Sequence, residues 1–275
     1  MGAPAVARFE QRFGPTVPFG SRRLLVQHPP LGGTDVAVFQ ALAQTLRALL
    51  DRPPPSRIAI SGVFDPACGD AACELQRHFR LAGDGVVGPS TYFALGHGVG
   101  PYVTYGGPAF GERTLHTGAE GGDAYVLHNR LALFQYARLL GRPADGCYRP
   151  ATAVALAAFC ADASTCGDPG LPTGPDADQE HQNALLVLAP AGGRALFTGR
   201  NGLDVAYLQI RLRHLGTYPG RIDGYCGPLT VTAIRHLQSA CGLTQDGIAG
   251  AEVFYTLGRM DPHPAPWPAP VPDLG

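Results

Sequence analysis

The chain has 275 residues, of which 45% are hydrophobic and 16% are charged, so it can build hydrophobic cores and is not disordered as a whole. Its 21 basic residues, all of them arginine, nearly balance 22 acidic residues. This balance argues against nucleic acid as the main partner. No stretch approaches the roughly 18 apolar residues of a transmembrane helix, so no membrane span is expected.

The first residues, MGAPAVARFEQRFGP, contain no apolar stretch of the kind found in secretory signal peptides. As written, the sequence is therefore expected to lack a conventional export signal, and a cytoplasmic location stays open.

Three stretches of the chain share one pattern, with aligned aspartates at Asp35, Asp123 and Asp204. Their spacing is too long for a solenoid repeat and predicts three small folded segments. These are segment 1 (residues 21–97), a divergent segment 2 (residues 112–190) and segment 3 (residues 193–259), followed by a proline-rich tail at 260–275.

Segment 3 gives the clearest prediction of the fold of a single segment. Asp204 is predicted to cap a helix with an apolar face, and the glycine-rich turn YPGRIDGYCGP leads to a second helix from Pro228. A third, short helix is predicted near residues 251–257. The predicted fold is therefore all-α, with three tandem three-helix bundles.

The regions between these helices also carry predictions. Residues 97–112 are expected to be a linker whose aromatic residues, Tyr102, Tyr105 and Phe110, pack on a neighbouring segment. Residues 161–182 show no helical period and are expected to form a long loop insert in segment 2, either functional or disordered.

The strings DVAYLQIRLRHLG, IDGYCGPLTVTAIRHLQ and GLTQDGIAGAEVFYTL resemble the peptidoglycan-binding domain family. That family's pattern runs roughly D-V-x-x-L-Q, D-G-x-F-G-P-x-T, F-Q and G-L-x-x-D-G-x-x-G. Segment 3 matches nearly all of it and segment 1 part of it, whereas segment 2 loses the closing turn. The resemblance implies an all-helical module that binds bacterial cell-wall peptidoglycan without cutting it, and a location in the cell wall or outside the cell.

Candidate ligand-binding residues are the polar and aromatic ones near the glycine turns of segment 3, namely Tyr218, Arg221, Asp223, Arg235 and Gln238. Three linked copies would raise the avidity for a polymer that itself repeats. The alternative is a repurposed cytoplasmic scaffold that binds a small molecule between segments or at the 161–182 insert. No catalytic motif is recognised, so an enzymatic role would belong to an unrecognised class.

Seven cysteines invite a disulfide interpretation, but helix length opposes two pairs. Cys226 and Cys241, like Cys147 and Cys160, would sit at opposite ends of a helix of about 18 Å, whereas a disulfide needs Cα atoms within about 7 Å. Cys68–Cys73 and Cys160–Cys166 stay compatible with pairing. Cys68 and Cys226 align with each other, and buried thiols that act as small apolar residues are the favoured interpretation for both.

Metal and cofactor sites are not expected, because no compact cluster of ligands is present. The nearest metal candidates are His116 with Asp123, whose spacing is similar to that in zinc D-Ala-D-Ala peptidases, and His181 with Asp178. The capping role of Asp123 is the favoured interpretation. Cys166, Asp176, Asp178 and His181 could also form an unrecognised site in the insert.

Overall fold

The computed structural model describes residues 13–97, 105–165, 171 and 174–260, and the described chain is mostly helical. Segment 1 contains helices α1 (Thr34–Leu49), α2 (Pro66–His78) and α3 (Pro89–Ala94). Two-residue strands, β1 (Leu31–Gly32) and β2 (Val63–Phe64), pair antiparallel beside them. The proline-rich tail and Tyr102 lie outside the described residues.

Segments 2 and 3 are built from the same kinds of element. Segment 2 contains α4 (Gly122–Leu131), a π-helical segment (Ala132–Tyr136), α5 (Ala137–Leu140), α6 (Pro150–Thr165) and α7 (Gln179–Leu188). Segment 3 contains α8 (Leu203–His214), α9 (Pro228–Ala240) and α10 (Ala251–Met260). None of the helices within the described ranges is both long enough and apolar enough to cross a membrane.

The prediction of a helix-free insert at residues 161–182 is wrong. Helix α6 continues to Thr165, and α7 begins at Gln179, where the Asp178 side chain accepts a hydrogen bond from the His181 amide and caps the helix. Cys166 lies outside the described residues. The closing turn that sequence comparison misses in segment 2 is therefore present just before α7.

Two backbone pairings recur in all three segments. The first joins the start of each segment to its closing turn, through Leu24–Val87, Leu115–Ala177 and Leu196–Ala249. The second lies beside the turn before the second helix, through Gly32–Val63, Glu120–Cys147 and Asn201–Tyr225. The three segments therefore share one local backbone frame.

The predicted capping role of the aligned aspartates is also wrong. Asp204 is the second residue of α8, which Gly202 precedes, and both of its carboxylate oxygens accept hydrogen bonds from Arg194, at 2.6 and 3.0 Å. Arg22–Asp35 and Arg113–Asp123 repeat this two-point ion pair. Each aspartate is buried, so its charge is balanced by the arginine. Asp204 and Asp123 also accept a hydrogen bond from the amide of the next residue, although neither is the N-cap.

The glycine before each of these helices is required by the ion pair. Gly202 has φ 153°, and a Cβ atom there would lie 2.7 Å from Oδ1 of Asp204 and 2.6 Å from the carbonyl oxygen of Ala94. Gly33 and Gly121 have φ 145° and face the aspartate of their own segment in the same way. A side chain at these positions would displace the carboxylate from its arginine.

Glutamine side chains hold the turns of segments 1 and 3. Gln209 accepts hydrogen bonds from the amides of Asp223 and Gly224 before the second helix, and Gln40 does the same in segment 1. Gln76 and Gln238 bind the closing turns through Gly85 and Gly247. The buried glutamine side chains thus satisfy backbone groups of turns that lie outside helices and strands.

The segments pack on one another through their first and last helices. Helix α1 contacts α7 and α8, and α10 contacts the π-helical segment. Two buried arginines cross these contacts. Arg130 donates to the carbonyl oxygens of Gly96 and Ala189, and Arg211 donates to those of Leu133 and Leu257. Phe110 is buried beside Arg130, as expected for the linker.

Cys68 and Cys226 are buried thiols, as predicted, but they do not align with each other. Cys68 accepts a hydrogen bond from Gln40 as Thr230 does from Gln209. In the second backbone pairing, Tyr225 of segment 3 is equivalent to Val63 of segment 1. Cys226, the next residue, is therefore equivalent to Phe64. The two cysteines therefore fill different core positions.

We expect Cys68 and Cys226 to resist iodoacetamide in the folded chain at neutral pH, while the partly exposed Cys73, Cys147 and Cys241 react. Burial raises the pKa of both buried thiols to about 11, and the thiolate is the reactive form. Peptide mass spectrometry after timed labelling measures this. All five should react in denaturant, and native labelling of Cys226 as fast as Cys241 would contradict the assignment.

Candidate ligand-binding surface

A polar cavity of about 130 Å³ opens where segment 1 meets segment 3. Segment 1 contributes the end of α2 and the residues after it, and segment 3 contributes residues on both sides of its second backbone pairing. The lining residues are His78, Phe79, Arg80, Asn201, Asp223, Gly224 and Tyr225. We call this set the junction surface.

Backbone contacts fix the junction surface from both sides. The Asn201 side chain donates to the carbonyl oxygen of Phe79 at 2.5 Å, and His78 Nε2 lies 3.1 Å from the carbonyl oxygen of Asp223. Gly224 has φ 70°, and a Cβ atom there would lie 2.9 Å from both Phe79 Cε1 and the Gly202 carbonyl oxygen. Only glycine allows the turn to approach segment 1 this closely.

Arg80 and Tyr225 form the outer part of the junction surface. The Arg80 guanidinium carbon lies 5.1 Å from the centre of the Tyr225 ring, within the range of a cation–π contact. Arg80 is exposed, and its φ of 59° is in the left-handed region, which few residues other than glycine adopt. A cation and an aromatic ring are therefore held together at the mouth of the cavity.

The structure separates the five predicted site residues into two groups. Tyr218 and Gln238 are buried; the Tyr218 hydroxyl donates to the Arg221 carbonyl oxygen, and Gln238 binds the closing turn. Burial raises the pKa of Tyr218. Arg221, Asp223 and Arg235 are exposed. Of the five, Asp223 lines the junction surface.

Sequence reasoning missed the other six residues of the junction surface, because the cavity is formed by contact between segments 1 and 3. Arg80 follows α2 in a different segment, 145 positions before Tyr225 in the sequence. The one available signal was Tyr225 itself, an aromatic residue inside the glycine turn before Pro228.

A second polar cavity, of about 250 Å³, lies beside the closing turn of segment 1, between Arg23, Asp84 and Ser90. Hydrogen bonds from the Val86 amide and from Gln76 lower the pKa of Asp84. Asp246 of segment 3 accepts the equivalent bonds from Ile248 and Gln238, which lower its pKa too. The closing turns of segments 1 and 3 thus each present an ionised carboxylate.

The metal candidates are not brought together. His116 is exposed, whereas Asp123 is buried and paired with Arg113, and His181 is bound to Asp178. No cluster of three or more potential ligands arranged for a metal ion occurs within residues 13–97, 105–165, 171 and 174–260.

A family model described as "Putative peptidoglycan binding domain" matches residues 201–257. The match takes in Asn201, Asp223 and Tyr225 of the junction surface. Residues 201–257, which lie in segment 3, are therefore similar to this domain family.

Known proteins match this chain over short stretches. The spore cortex-lytic enzyme of Bacillus cereus is 46% identical over 59 residues, which are 22% of this chain and 23% of that enzyme. A probable N-acetylmuramoyl-L-alanine amidase of Bacillus licheniformis is 35% identical over 116 residues, 40% of this chain and 28% of the amidase. The chain thus spans about a quarter of the length of these relatives.

Among solved structures, the SleB N-terminal domain is 41% identical, with a TM-score of 0.23. The aligned region covers 23% of this chain and 88% of that domain.

Proposed function

We propose that the chain binds peptidoglycan without cleaving it, with the junction surface as the principal contact. The observation that carries this proposal is the position of the family match, which contributes Asn201, Asp223 and Tyr225 to an open polar cavity. The relatives are named as cell-wall enzymes, but the matched stretches are only about a quarter of their length.

The chemistry of the junction surface suits a glycopeptide. The Tyr225 ring offers an apolar face to a sugar ring, and the adjacent Arg80 guanidinium can bind the carboxylates of a peptide stem. Asn201 and His78 already use one side-chain nitrogen each to hold the backbone. These contacts hold the two sides of the cavity in place before a ligand binds, which limits the conformational entropy lost on binding.

We further propose that segments 1, 2 and 3 are three tandem copies of the domain. The recurring Arg–Asp pair and both recurring backbone pairings support this interpretation. Linked sites of millimolar affinity, about −4 kcal/mol each, would together hold a repeating polymer much more tightly than one site does. Segment 2 lacks the glutamines that hold the turns in the other two, so segments 1 and 3 are the stronger candidates.

Replacing Tyr225 with alanine should weaken the binding of the full chain to purified peptidoglycan by about tenfold, a loss typical of an aromatic residue that contributes strongly to binding. Arg80→Ala should have a similar effect, because the two side chains act at one place. Dissociation constants from co-sedimentation over a range of peptidoglycan concentrations measure both effects.

The chain offers a matched control in Tyr255 and Arg259, a second tyrosine–arginine pair 5.7 Å apart on helix α10 and outside the junction surface. Tyr255→Ala should leave the dissociation constant unchanged within twofold. Equal losses in Tyr225→Ala and Tyr255→Ala would mean that the junction surface is not the contact. Thermal unfolding of each variant verifies that the comparison is made on folded protein.

A further inference from the structure

Segment 2 departs from the other segments at the residue that holds the closing turn. Gln76 donates to Thr91 Oγ1 and the Val86 carbonyl oxygen in segment 1, and Gln238 binds the closing turn of segment 3. Counted from the proline that opens each second helix, the equivalent residue in segment 2 is Cys160. A short thiol thus replaces a long amide.

The partner of this residue changes as well. Thr91 is the third residue of α3, and the third residue of α7 is His181. The side chains of Cys160 and His181 are hydrogen bonded. On its other side, His181 Nδ1 lies 2.6 Å from Oδ1 of Asp178. A thiol, an imidazole and a carboxylate therefore form a continuous row.

This row adjoins a third cavity, of about 420 Å³. Cys160 lines it together with Ala153, Val154, Ala157, Ala161 and Pro175. The cavity at the corresponding turn of segment 1 is instead lined by Arg23, Asp84 and Ser90. Segment 2 has thus exchanged a polar groove for an apolar one with a sulfur atom in its wall.

The charge of His181 is set by its neighbours. Burial lowers its pKa, but hydrogen bonds to Asp178 and Cys160 outweigh this and raise the pKa to about 10. The hydrogen bond to His181 likewise lowers the pKa of Asp178, against the effect of burial. The protonated His181 is therefore placed to donate a proton to a group that leaves beside the Cys160 sulfur.

We propose that Cys160, His181 and Asp178 form a nucleophilic site that accepts acyl groups from esters or thioesters with an apolar acyl chain. Cys160 would be the nucleophile, His181 the proton carrier and Asp178 the group that orients His181, an arrangement typical of covalent acyl transfer. The apolar cavity would hold the acyl chain. This site is separate from the junction surface and does not depend on peptidoglycan binding.

The proposed reaction needs only the three side chains, the ester and one water molecule. The Cys160 thiolate attacks the ester carbonyl, an S–C bond forms, and the C–O bond to the alcohol breaks as His181 protonates the leaving alkoxide. A water molecule then attacks the thioester while the neutral His181 takes its proton. The S–C bond breaks, the carboxylic acid is released, and the thiolate–imidazolium pair is restored.

The test uses the full chain with p-nitrophenyl butanoate and p-nitrophenyl octanoate. We expect a burst of nitrophenol with both and one acyl adduct per chain, mapped to Cys160 by peptide mass spectrometry. Since the chain contains no lysine, acylation of side-chain amines does not compete. Cys160→Ser should lower the rate of nitrophenol release by about a hundredfold, the scale typical of a lost catalytic group.

Cys147→Ser is the matched control, because Cys147 lies in the same segment but outside the cavity, and it should keep the wild-type rate. His181→Gln should slow acylation while leaving the adduct on Cys160. No adduct on Cys160 in the wild-type chain, or a wild-type rate in Cys160→Ser, would overturn the proposal. The wild-type adduct decides the matter even where a variant fails to fold, as judged by circular dichroism.

Discussion

Replacing Asp204 with asparagine is expected to lower the free energy of unfolding by about 3–5 kcal/mol, the usual cost of removing one partner from a buried ion pair. The side chain of Asp204 is 1% exposed and that of Arg194 is 11% exposed. Burial works against the charge of Arg194, but Asp204 outweighs this and raises the pKa of the guanidinium. With asparagine at position 204, the positive charge of Arg194 would lose its counter-ion.

Asp35→Asn is the matched comparison for this prediction. Its partner Arg22 is 33% exposed, so water can solvate the guanidinium once the carboxylate is neutral, and the loss should be smaller. Urea unfolding followed by circular dichroism measures both variants. A loss for Asp204→Asn no larger than for Asp35→Asn would mean that burial of the arginine does not set the cost.

Replacing Gly258 with alanine is the second change expected to have a large effect. Gly258 lies inside helix α10, where alanine would ordinarily be favoured over glycine by about 1 kcal/mol. Here a Cβ atom would collide with the carbonyl oxygen of Ala132 in the π-helical segment. We therefore expect the free energy of unfolding to fall by about 1–3 kcal/mol or more, because backbone cannot move aside as a side-chain end can.

The control for this change is Gly250→Ala. Gly250 directly precedes α10, and a Cβ atom there would meet no neighbouring atom within 4 Å, so its effect should be small. Thermal unfolding of both variants distinguishes the two positions. Stabilisation by Gly258→Ala would show that helix propensity dominates and that α10 does not pack against segment 2 as described.

The helices of segments 1 and 3 could be predicted because their signals are local. Pro66 and Pro228 open second helices, and the apolar spacing of α9 marks its one buried face. The role of Asp204 could not be read in the same way. Its partner Arg194 lies ten residues upstream, and nothing in a run of sequence distinguishes an aspartate that caps a helix from one that binds an arginine.

Segment 2 was harder to predict because its local signals are weakened. His128 stands where Gln40 and Gln209 hold a turn, and it instead contacts the Arg142 carbonyl oxygen at 2.9 Å. Gln135 adopts φ 95° within the π-helical segment, so the apolar spacing there follows no single period. Tertiary contacts with α10 support this irregular backbone, and such contacts cannot be seen in the sequence of segment 2.

The candidate site was only partly predictable for a related reason. Asp223 was named from its turn, but Arg80 and His78 reach the same cavity from another segment. Cys160 was assigned to a helix end, and its hydrogen bond to His181 depends on how α6 and α7 face each other. Composition and spacing identify chemical groups, whereas the meeting of two segments decides which of them can act together.

The most direct test of the central claim is co-sedimentation of the full wild-type chain with purified, insoluble peptidoglycan, compared with an insoluble polysaccharide that lacks peptide stems, such as cellulose. We expect the chain to pellet with peptidoglycan in a saturable manner and to stay in the supernatant with cellulose. A chain that stays in the supernatant with peptidoglycan, or pellets equally with both polymers, would contradict peptidoglycan binding.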